Sequence, residues 1–162
     1  MSHPDPQETR RQIRRWLLLF VVLLILSGLT AFPIQTELNW LMQYRDWFPA
    51  PLQFWLEKIT IAINDTYAKY PELAYGYDWL AFAHIVIGVA FIGPWRDPVK
   101  NIWVVEWGMI ACVMVPFLAF ICGPIRNIPL FWRLIDTSFG VFGIIPLWVI
   151  WKKIKRLEPA AA

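Results

Sequence analysis

From Trp79 to Trp151 the chain is almost uninterrupted apolar sequence, broken by two short loops. With an earlier block this makes four apolar runs, about 16–34, 79–95, 102–122 and 134–151. Crossing a hydrocarbon core about 30 Å thick takes roughly 17–25 helical residues, and each run is that long. Lipid offers backbone groups no partners, and runs this uniform lack the alternation of barrel strands, so the spans are expected to be helices. Hydrophobic residues make up 58% of the 162 and charged residues 17%. A soluble domain carries about 45–50% and about 25%. The expected fold is all-α: an integral membrane four-helix bundle forming a single domain, with residues 35–78 as an insert outside the bilayer.

The first run has a basic flank, Arg10, Arg11, Arg14 and Arg15. It is longer than the apolar centre of a secretory signal and no Ala-x-Ala site follows, so it reads as an uncleaved signal anchor. Positive charge sets the orientation. With the N-terminus inside, ten cations fall on the inner side (Arg10, Arg11, Arg14, Arg15, Arg96, Lys100, Lys152, Lys153, Lys155, Arg156). Five fall outside (Arg45, Lys58, Lys69, Arg126, Arg133). Both termini are therefore expected in the cytoplasm, with the short loops suggesting a bacterial inner membrane. The net charge of +3 comes from residues flanking spans, which anchor to anionic lipid; nucleic acid is not an expected partner.

The insert reads as two amphipathic helices, about 37–48 and 51–69. Thr36 is the expected cap of the first and Pro51 lies in the first turn of the second. All five tyrosines lie between Tyr44 and Tyr77, as suits a segment lying on the membrane surface. Asn64-Asp65-Thr66 matches a glycosylation acceptor, a pattern common by chance.

The two loops open alike, Gly93-Pro94-Trp95-Arg96 and Gly123-Pro124-Ile125-Arg126. A carboxylate follows each arginine by ten residues, Glu106 and Asp136, and a proline follows each carboxylate by ten, Pro116 and Pro146. Aligned without gaps, residues 93–122 and 123–152 share these two glycine-proline pairs, the arginines and the later prolines. This is compatible with a small inverted repeat or with plain punctuation, since Gly-Pro ends helices. Charges inside spans are costly and often functional. Glu106, near the cytoplasmic face, is expected to pair with Arg96, with Lys100 as the alternative and Lys152 at the same level. Asp136 is expected to pair with Arg126, with Arg133 as the alternative, and His84 to join Asp136 and Arg126 in an external layer. Pro116 and Pro146 are candidate kinks, and kinks can open a cavity for a lipid, quinone or pigment.

No nucleophile elbow, phosphate-binding glycine loop, zinc motif or catalytic carboxylate pair is present, so the chain is not expected to be an enzyme. Cys112 and Cys122 lie about 15 Å apart on one helix and cannot pair with each other. With only His3 and His84 besides, neither a metal nor another cofactor is expected. Three functions remain: an accessory or scaffolding subunit packed against other membrane proteins or its own copies, a small transporter or channel using Glu106, Asp136 and His84, and a binder of an apolar ligand.

Overall fold

The computed structural model describes residues 5–157, and His3 lies outside them. No strand occurs among the described residues. The helices are α1 (Pro6–Leu29), α2 (Ile34–Met42), α3 (Ala50–Lys69), α4 (Tyr75–Ala90), α5 (Ile92–Arg96), α6 (Ile102–Ile125) and α7 (Leu130–Lys155). Short 3-10 turns occupy Arg45–Trp47 and Pro71–Ala74.

Among the described residues, four helical segments are long and apolar enough to cross a membrane: Pro6–Leu29, Pro71–Arg96, Ile102–Ile125 and Leu130–Lys155. Only 11% of the most apolar window of α6 is buried within the chain. Met114, Phe117, Leu118 and Ile121 on that helix are each about 60% exposed. Water does not tolerate apolar surface on that scale, whereas lipid does, and the chain has the character of an integral membrane protein.

The helix bounds differ from the apolar runs in ways local chemistry explains. α1 starts at Pro6 rather than Trp16 because Asp5 caps it. Its Oδ1 accepts the Gln7 N–H at 3.0 Å, and Pro6 takes the first helical position, where a missing N–H costs nothing. The helix then runs through the basic flank, which is made of good helix formers. α1 ends at Leu29, five residues short of the apolar run, and α2 begins at Ile34, directly after Pro33. Thr36 therefore lies inside α2 and is not its cap. Gly93-Pro94 and Gly123-Pro124 do not open loops either. Both sit within helical turns, and the loops start at Asp97 and Arg126.

Contacts divide the chain into two compact units, Met1–Val22 with Val89–Ala162, and Leu23–Gly88. In the first, Ile13 and Leu17 of α1, Val105 of α6 and Leu147, Ile150 and Ile154 of α7 are fully buried, with Phe91 2% exposed. Phe20 and Phe91 meet at a tilt of 57°, 4.9 Å between ring centres. Lys153 Nζ donates to Gln12 Oε1, and Gln12 Nε2 donates to Glu8 at 3.1 Å. The start of α1 and the end of α7 thus share one end of this unit.

α6 and α7 approach closely along their length. A Cβ added to Gly140 would lie 2.5 Å from the Cys112 carbonyl oxygen, and one on Gly143 3.0 Å from Cys112 Sγ. Proline lacks the N–H that would bond four residues back, so Pro116 leaves the Cys112 carbonyl without its helical donor. That carbonyl is the one facing Gly140. The two features explain each other: a proline frees a carbonyl, and a glycine lets the neighbouring backbone close over it, as small residues do between membrane helices. α6 continues through Pro116 and α7 through the buried Pro146.

In the second unit, α2 and α3 pack through Leu38, Trp55, Leu56 and Thr60, all buried. Asn64 is tied into an amide cluster. It accepts from Gln35 Nε2 at 2.9 Å and donates to Asn39 Oδ1 at 2.9 Å. The residue that matched a glycosylation acceptor is thus a helical packing residue, not a loop tip. The Tyr67 hydroxyl is enclosed and has no hydrogen-bond partner among the described residues. Burial, with Tyr77 and Asp78 close by, pushes its phenol above the usual 10.0.

Candidate functional site

The polar residues inside the apolar helices fall into three settings. Glu106 is half-buried on α6 and accepts a hydrogen bond from the Trp151 indole Nε1 of α7 at 2.9 Å. It does not pair with Arg96, contrary to the sequence expectation. Arg96 ends α5 and is exposed, and its loop closes without it. Asn101 Nδ2 donates to the Gly93 and Asp97 carbonyls at 3.2 and 2.9 Å, and Lys100 lies 3.8 Å from Asp97. Ten residues of sequence separation carry no information about which face of α6 a carboxylate takes, and Glu106 takes the face toward α7.

His84 lies on α4 in the second unit. Its Nδ1 is 2.8 Å from the Leu80 carbonyl oxygen, one helical turn back. A Cβ on Gly28 would lie 2.3 Å from His84 Cβ, so α1 and α4 touch where a glycine receives the imidazole. Both its packing and its hydrogen bond are local to this contact.

Arg126 and Asp136 are brought together. They line one open cleft of about 230 Å³ with Val115, Leu118, Ala119, Cys122, Gly123 and Ile128. They do not form an ion pair. Arg126 is exposed and Asp136 half-buried, and no hydrogen bond within the described residues engages either side chain.

The turn behind this cleft is closed by backbone hydrogen bonds. Asn127 takes a left-handed conformation, φ 55°, which asparagine tolerates better than other non-glycine residues. Its N–H bonds the Pro124 carbonyl at 3.0 Å, and the Ile128 N–H bonds that of Gly123 at 2.9 Å. That is the two-bond Schellman closure of a helix end. Gly123 also seats the next helix, since a Cβ there would lie 2.4 Å from Arg133 Cδ. Arg133 Nε is buried without a hydrogen-bond partner among the described residues, and its guanidinium lies 5.9 Å from the Phe120 ring centre. From its position in the sequence Arg133 is expected only as an external charge and an alternative partner of Asp136, not as a side chain seated on a glycine. Its seat on Gly123 depends on the fold of the turn and leaves no mark in residue spacing.

A second open cleft, about 330 Å³, lies in the other unit between Phe32, Tyr75, Asp78, Trp79 and Phe82. Its wall is aromatic, with Trp79 edge-on to Tyr75 and Phe82 at 5.9 and 5.8 Å. Cys112 and Cys122 are both free thiols, Cys112 half-buried and Cys122 exposed. No group of three or more His, Cys, Asp or Glu placed to hold a metal occurs among the described residues.

Comparison with known protein families, with curated proteins and with solved structures finds no significant match.

Proposed function

We propose that the protein is a non-catalytic accessory or scaffolding subunit of a membrane complex, set in a bacterial inner membrane with both termini cytoplasmic. The observation that carries this reading is the Glu106–Trp151 hydrogen bond. The carboxylate best placed to begin an ion path from the cytoplasmic side is engaged in joining α6 to α7. His84 is likewise engaged within its own helix. A transporter needs ionisable groups facing a shared cavity, and these two serve packing instead.

The charge distribution supports the orientation, since ten of fifteen Lys and Arg fall on the inner side of an N-in, four-span arrangement. The joining of the start of α1 to the end of α7 through Gln12 and Lys153 agrees with an even number of spans. The surface offered to a partner lies on the insert. Trp47 is 83% exposed, beside Arg45, which pairs with Asp46 at 3.5 Å and lies 4.0 Å from Glu57. Trp, Tyr and Arg dominate the energetics of protein contacts, and Trp40, Tyr44 and Trp47 form a continuous ring ladder here. The partner is a second membrane protein with an apolar patch on the same side.

Purification of the full chain from native membranes in a mild detergent, with crosslinking, tests this. A membrane protein is expected at fixed stoichiometry, and Trp47→Glu is expected to lose it without loss of helicity. A monodisperse single chain in several detergents and in nanodiscs overturns the reading, as does a partner that Trp47→Glu leaves in place.

A further inference from the structure

The cleft at the α6–α7 turn holds opposite charges that do not close on each other. Arg126 and Asp136 both line it, and no ion pair joins them. Oppositely charged side chains of which one is solvated gain little by pairing, so the gap alone is unremarkable. Three further features give it a shape. Arg126 caps the C-terminal end of α6, so the charged end of the cleft lies at the end of a span, where headgroups sit. The wall then runs back along α6 through Cys122, Ala119, Leu118 and Val115, about 16 Å of helix rise into the apolar zone. Arg133, with its buried and unpartnered Nε, lies against Gly123, which is itself part of the wall.

A ligand that satisfies this arrangement has an anionic group for the guanidinium, a hydrogen-bonding cation for the carboxylate and an apolar tail. We propose that the cleft binds a phospholipid carrying a primary ammonium, its phosphate on Arg126, its ammonium on Asp136 and an acyl chain along Val115, Leu118 and Ala119. Phosphate suits a guanidinium fork. A primary ammonium donates hydrogen bonds to a carboxylate, which a trimethylated one cannot. The inference is independent of the proposed subunit role, since a lone chain could hold the lipid and a subunit could lack it.

The test is native mass spectrometry of the full chain in detergent with an equimolar mixture of palmitoyl-oleoyl phosphatidylethanolamine, phosphatidylcholine and phosphatidylglycerol. The ethanolamine lipid is expected to be retained about tenfold over choline, the scale of a charge-assisted hydrogen bond. Asp136→Asn should bring the two to parity, and Asp136→Glu should keep the preference. Arg126→Gln should weaken both alike. Circular dichroism and monodispersity establish that each variant is folded, and Asp136→Glu carries the test if Asp136→Asn is not. Equal retention of the three lipids by the wild type overturns the proposal, as does a preference that Asp136→Asn leaves intact. Displacement of the lipid by millimolar phosphoethanolamine would identify a water-soluble zwitterion as the ligand and overturn the lipid assignment.

Discussion

The two ends of the α6–α7 hairpin share the same sequence elements and differ in what their charges do. At one end Glu106 holds Trp151, and Lys153 reaches Gln12. At the other, Arg126 and Asp136 face one cleft without meeting. The local punctuation is alike, with Gly-Pro in the last helical turn and the glycine giving room to a later side chain, Asn101 against Gly93 and Arg133 against Gly123. The difference lies in the neighbours. The closed end has a third helix, α1, packed against it within the same unit, with Ile13 and Leu17 buried there. The open end has a turn and exposed apolar residues, Ile125 at 71% and Leu130 at 55%. A charge near the membrane closes on protein where protein surrounds it, and stays available where it does not.

The largest effect tests the contact that joins the two ends. Gly140→Ala places a methyl against the Cys112 carbonyl, a backbone atom that cannot rotate away. The expected loss is about 3 kcal/mol, read as a lower midpoint of denaturation by sodium dodecyl sulfate. Next comes the direct contrast between the carboxylates. Glu106→Leu leaves the indole N–H of Trp151 unsatisfied and should cost about 1–3 kcal/mol. Asp136→Leu in lipid-free detergent should fall within about 0.5 kcal/mol of wild type or stabilise it, because no protein partner is lost. Equal losses at the two positions would erase the distinction between closed and open ends. Lys153→Ala is expected to cost under about 1 kcal/mol, as surface polar contacts do, in the same unfolding assay.

The smallest effect extends the contrast to the second unit. The enclosed Tyr67 phenol is held neutral in the folded state, its pKa above the usual 10.0. Its folded-state stability is therefore intact below about pH 10 and falls as the pH rises through the raised value. Tyr67→Phe should flatten that alkaline limb in a pH series of thermal melts.

The spans were legible in the sequence because length and apolar composition are summed over many residues, and single substitutions barely move the sum. Their ends were less so. α1 gains ten residues over its apolar run through Asp5 and Pro6, two residues that composition ignores. One helical hairpin brings the end of α6 to the start of α7, so Arg126 and Asp136 line one cleft, but the expected ion pair between them does not form. The Arg96–Glu106 pairing failed although the spacing is the same, because the α5–α6 loop closes on Asn101 and the indole of Trp151, forty-five residues away, takes the carboxylate. The packing of Arg133 was illegible for a related reason: its seat is the glycine at position 123, and a gap is not a motif.

The link between Gln12 and Lys153 spans 141 residues of sequence. At a synthesis rate of about 5–20 residues per second, the first helix waits on the order of ten seconds for the last to emerge. During that interval Ile13 and Leu17 lack Leu147, Ile150 and Ile154, the α7 residues buried in the same unit. The most deeply buried part of the first unit is thus the part completed last, and a chain truncated before Leu147 would enter the membrane with its opening helix still unmatched.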